Sequence, residues 1–173
     1  VLCVVVVVGP CRDVNWVGTC AGVGLGMGLA HRPRVQWDEY VLVRGLLDRP
    51  TEKAARLEVL QRLAMSESQF VLDTPEHPVH KGIFREGATN MSFMPTVTVG
   101  NDPLQSVLRT GPLLDVLGVM LNGKIRAFDY TWFRVKSPGT ETSSPPHTDS
   151  IYMGRGTPDL YTCWTPFSDV DLS

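Results

Sequence analysis

Residues 125–135 alternate more clearly than any other part of the chain, and they constrain the fold most. Successive side chains of a strand point to opposite faces. Phe128, Tyr130 and Trp132 therefore share one face, flanked by Arg126 and Arg134, while Ala127, Asp129, Thr131 and Phe133 share the other. Residues 137–146 are rich in Ser, Thr, Pro and Gly and read as a loop. A second strand is expected over 148–153, a turn over 154–158 and a third strand over 159–166.

The preceding part of the chain reads as mostly helical. Thr51 follows Pro50 as a candidate N-cap, with Glu52 in the first turn. Over 52–65, Ala55, Leu57, Leu60, Leu63 and Ala64 recur at helical spacing, with Lys53, Arg56, Glu58 and Arg62 outside. Residues 103–121 are apolar at Leu104, Val107, Leu108, Leu113, Leu114, Leu117 and Met120. Gly111-Pro112 interrupts them, which predicts two consecutive helices. Leu121-Asn122-Gly123-Lys124 is a turn, 73–87 a loop, and 37–47 a short strand. Helices followed by a block of strands predict an α+β domain built on a β-sandwich or jelly roll.

Residues 1–34 fit this plan poorly. Val4 to Val8 are five valines with no cationic start before them, and a membrane span needs about 20 apolar residues. The glycine alternation at Gly22-x-Gly24-x-Gly26 is not a dinucleotide fingerprint. This segment is expected to be a disordered or artefactual extension, leaving 35–173 as the domain. The 173 residues allow one domain with a substantial core. A net charge of -2 provides no basic field for nucleic acid or anionic lipid. Cys3, Cys11, Cys20 and Cys163 form no CxxC pair, so free thiols in a reducing, cytoplasmic setting are expected.

The chemistry is concentrated at Pro145-Pro146-His147-Thr148-Asp149. On a strand, His147 and Asp149 would point the same way. A neutral imidazole nitrogen and an anionic carboxylate oxygen are two of the three donors of a 2-His-1-carboxylate triad. Such a triad holds non-haem Fe(II) and leaves positions open. His147 is the last histidine of the given sequence, so the third donor is missing from it. The plain alternative is a surface histidine after a proline pair, with Asp149 capping a turn beside Ser150. His77 and His80 form a His-x-x-His pair in a loop, where histidines are usually just exposed.

Around this motif, Phe128-Asp129-Tyr130-Thr131-Trp132-Phe133-Arg134, Ile151-Tyr152-Met153-Gly154-Arg155-Gly156-Thr157 and Leu160-Tyr161-Thr162-Cys163-Trp164-Thr165-Pro166 complete a pattern that resembles the phytanoyl-CoA dioxygenase family. The resemblance is good over 124–170 and looser over 37–123. It implies a double-stranded β-helix core and an Fe(II)- and 2-oxoglutarate-dependent oxygenase that uses O2 to hydroxylate a small organic substrate. It assigns His147 and Asp149 to the metal and sets Trp132 and Trp164 against the 2-oxoglutarate. Tyr130 shares the face of Trp132 and is a candidate donor to a carboxylate. Both tryptophans are expected on inward strand faces, where plain core is the alternative role. The family's distal histidine and carboxylate-binding arginine are not found after Asp149, so the chain is expected to be a fragment, inactive alone. Other readings are a non-catalytic jelly-roll binding module and an inactive truncated product.

Overall fold

The structure is a computed structural model that describes residues 2–10, 42–66, 70–90, 94–136, 147, 150–153 and 160–169. It mixes helix and strand, in keeping with an α+β class.

The first helix, α1 (Arg49–Met65), begins three residues before the sequence reading. Asp48, not Thr51, is its N-cap, and the Asp48 carboxylate accepts a hydrogen bond from the Thr51 backbone N–H at 3.0 Å. Pro50 sits in the first turn, where a missing N–H costs nothing. Ala55, Val59, Leu60 and Leu63 form its buried stripe. The expected strand over 37–47 is not present in its described part, 42–47. Gly45 there adopts φ +65°, a left-handed conformation that breaks an extended run.

The loop over 73–87 carries a short 3-10 turn, Val79–Lys81. Arg56 reaches from α1 to donate to the carbonyls of His80 and Lys81. Beyond β2 (Thr89–Asn90) come α2 (Pro95–Thr98), α3 (Asp102–Arg109) and α4 (Gly111–Leu121). The predicted break falls where expected, with Gly111 at φ +63°. Asn122 closes α4 in the left-handed region. Asp102–Leu121 is long and apolar enough to cross a membrane by length and composition. It is broken at Thr110, however, and Leu104, Val107, Leu108, Leu113 and Leu117 are core residues, so no span is indicated.

Leu2–Pro10 form β1. β1 lies between β3 (Ile125–Lys136) and β4 (Tyr161–Pro166) in a four-stranded antiparallel sheet ordered β2-β3-β1-β4. A run of β-branched residues without polar alternation suits a central strand, where both edges are hydrogen-bonded. Residues 11–34 lie outside the described residues.

The helices pack against one face of the sheet. Phe133, Val135 and Phe167 join α1, α3 and α4 in the core, and Thr131 and Thr165 are buried beside them. This corrects the reading of inward tryptophans. On β3 the buried face is that of Thr131, Phe133 and Val135, and Trp132 is on the opposite one.

Candidate functional site

The face of the sheet opposite α1, α3 and α4 carries the aromatic residues singled out by sequence. Trp132 on β3 and Trp164 on β4 are both register partners of Val5 on the intervening strand. Directly opposed residues share a face, so the two tryptophans lie on one side of the sheet, two strand spacings or about 10 Å apart. Trp164 is 53% exposed and Trp132 half-buried. Tyr130, two residues before Trp132, is 47% exposed.

Tyr130 stands at a bulge. Thr131 pairs with Val6 and Ala127 with Val8, so Phe128, Asp129 and Tyr130 together face the single residue Val7. Such an insertion leaves ladder groups without strand partners. Arg109, at the end of α3, compensates: its Nη2 donates to the carbonyls of Phe128 and Asp129 at 3.0 and 2.9 Å. Asp129 is exposed because it belongs to the bulge, not to the packed face on which alternation alone would set it.

His147 lies over this same sheet region. Its ring is 6.1 Å from that of Tyr152, at an interplanar angle of 76°. Tyr152 in turn meets Trp132, at 6.1 Å and 72°. The Arg134 guanidinium sits 5.6 Å from the centre of the Trp132 ring, within cation–π range. His147 itself is exposed. The result is a continuous row from Arg134 through Trp132 and Tyr152 to His147.

The strand expected over 148–153 is not what carries Tyr152. Ser150–Met153 form a single helical turn, α5. Ile151 and Tyr152, its two described side chains, are 75% and 61% exposed, so neither is buried as alternation would require of one of them. Thr148 and Asp149, on which the same-face argument for His147 and Asp149 rests, lie outside the described residues.

As donors, an imidazole and a carboxylate suit Fe(II). Among the described residues, no group of three His, Cys, Asp or Glu side chains could hold a metal. The described residues thus supply one ligand of the expected set, His147, and do not complete a metal site. His77 and His80 are exposed on their loop, remote in sequence from this row.

Three participants were not assigned from sequence. Tyr152 was visible only as part of a strand pattern, Arg134 as a strand-end charge and Arg109 as a helix residue. The signal for Tyr152 was available in its closeness to His147, five residues away. The Arg109 contact crosses from α3 to the bulge of β3 and leaves no local trace.

In comparisons with known proteins, no family model, no curated protein and no solved structure matches this chain.

Proposed function

We propose that this chain belongs to a non-haem Fe(II)- and 2-oxoglutarate-dependent dioxygenase that hydroxylates a small organic substrate, with His147 and Asp149 as metal ligands. A double-stranded β-helix is the core that this reading requires. The observation that carries it is the linkage of His147, through Tyr152, to Trp132 on the sheet face that also bears Trp164 and Tyr130. Bound iron and 2-oxoglutarate would supply the oxidising chemistry. The contribution of the chain would be an imidazole donor beside an aromatic wall. Trp132 and Trp164 would exclude water from one side of the co-substrate, and Tyr130 would offer a hydroxyl to a carboxylate.

Anaerobic titration with Fe(II) and 2-oxoglutarate tests the reading, followed through the visible charge-transfer absorption of a chelated 2-oxo acid. In the complete protein the band should form, and it should be lost in both His147→Ala and Asp149→Ala. In the complete protein, substrate-dependent succinate formation that survived His147→Ala would remove the assignment.

A second reading is a non-catalytic binding module. The exposure of Trp164 and Tyr152 favours it, because an open aromatic face can bind a ligand without a metal. Fe(II)-dependent quenching of tryptophan fluorescence that disappears in Asp149→Ala would count against this module.

A further inference from the structure

We infer that Tyr152 is the positioning residue for His147, latching it onto the sheet face opposite α1, α3 and α4. The functional consequence rests on the dioxygenase reading, whereas the latch itself rests on ring geometry.

The anchoring side is already fixed. Trp132 belongs to β3, pairs in register with β1 and carries the Arg134 guanidinium at 5.6 Å from its ring centre. The other side of the contact is the short segment that carries Tyr152. α5 is a four-residue turn, far below the length at which a helix holds itself together in water. Of its two described side chains, Ile151 is 75% exposed and can bury little against the sheet. Tyr152 is also largely exposed, so burial alone does not explain its place. What distinguishes it is a pair of edge-to-face contacts, with Trp132 on one side and His147 on the other, both at 6.1 Å. Perpendicular rings at this distance set a negative face against a positive edge, so each contact fixes orientation as well as separation. Two such contacts in series transmit the position of a sheet residue to a histidine 15 residues further along the chain.

The test uses the chain with carbon-13-labelled histidine rings, the His147 resonance being assigned through its loss in His147→Gln. In the wild type, the ring current of Tyr152 displaces the His147 Cε1–H resonance from its free-histidine position. Tyr152→Leu should return it to that position and leave His77 and His80 unmoved. Tyr152→Phe keeps the ring and should retain the displacement. Trp132→Phe provides a second route, since a smaller partner should shift His147 part of the way. If Tyr152→Leu leaves the His147 resonance in place, or if Tyr152→Phe moves it as far as Leu does, the latch is wrong.

Co(II) alone serves as the functional probe. Loss of the two ring contacts should weaken its binding on the order of tenfold in Tyr152→Leu, with recovery in Tyr152→Phe. If His147→Gln leaves Co(II) binding unchanged, the metal reading falls while the resonance data still decide the latch.

Discussion

Trp132 and Phe133 are adjacent in β3 and face opposite sides of the sheet, and only Phe133 enters the helical core. This one-residue alternation separates stability from the candidate site. Phe133 is fully buried, whereas Trp164, on the same face as Trp132, is 53% exposed. Phe133→Ala should therefore cost about 3–5 kcal/mol of stability, as large-to-small core changes do. Trp164→Ser should stay within roughly 0.5 kcal/mol, as surface changes do. Urea unfolding of the two variants measures both. A larger loss in Trp164→Ser than in Phe133→Ala would mean that the faces have been assigned the wrong way round.

The bulge in β3 should depend on Arg109. Its guanidinium holds two carbonyls from one nitrogen, while its buried Nε has no partner among the described residues. Arg109→Met removes the donor and leaves the Phe128 and Asp129 carbonyls without it, at a cost of about 1–3 kcal/mol. Arg109→Lys should recover part of this loss, because an ammonium can still donate but lacks the fork. Thermal unfolding ranks the three proteins. In hydrogen exchange, the Met variant should show faster exchange near Tyr130 than over β4.

Much of the helical half could be read from sequence because its signals are local. Gly111-Pro112 splits the two helices, and Gly111 takes a positive φ at that point. Asn122 ends α4 in the left-handed region, in the turn expected from Asn-Gly. The sheet was less accessible, for identifiable reasons. Period-two alternation on β3 divides the faces but does not say which is buried, since both carry aromatic residues. That choice is made by α1, α3 and α4. The valines of β1 gave no sign of their partners on β3, which run from Ala127 to Phe133, about 120 residues away. At the site, His147 and Trp132 were recognised separately. Their connection runs through Tyr152, and 15 residues of sequence separate them, so no local pattern encodes it.

The Asp48 cap should make α1 acid-sensitive. The Thr51 backbone hydrogen bond is the largest cause holding its carboxyl below the ordinary range, with Thr51's side-chain contact next. A lowered folded-state pKa means that the unfolded chain binds the proton more readily. The stabilisation is therefore present above the unfolded pKa and lost as pH falls through the folded one. Asp48→Ala should melt at a lower temperature than wild type near neutrality. Paired melting curves should converge under acid, below the carboxylate range. A gap that persisted there would mean that the cap does not act through the ionised carboxylate.

Cys163 should behave as a shielded thiol with an alkaline signature. It pairs with Val6 on β1, as does Thr131, and so lies on the helix-facing side of the sheet, opposite to its neighbour Trp164. Burial pushes its thiol up from an ordinary 9.0 to about 11. At pH 8 very little thiolate forms, and alkylation by iodoacetamide should be slow until the protein is unfolded. The sign of the linkage follows from the raised value: the folded state keeps the proton after the unfolded chain has lost it. This contribution is complete below pH 9 and declines as pH rises towards 11. Two pH units of difference correspond to at most about 2–3 kcal/mol. Cys163→Ala should lack that decline, so wild type and variant should draw together in stability across this window. Rapid alkylation of the native protein at pH 8 would show instead that the thiol faces solvent, and the register of β4 against β1 would then have to shift by one residue.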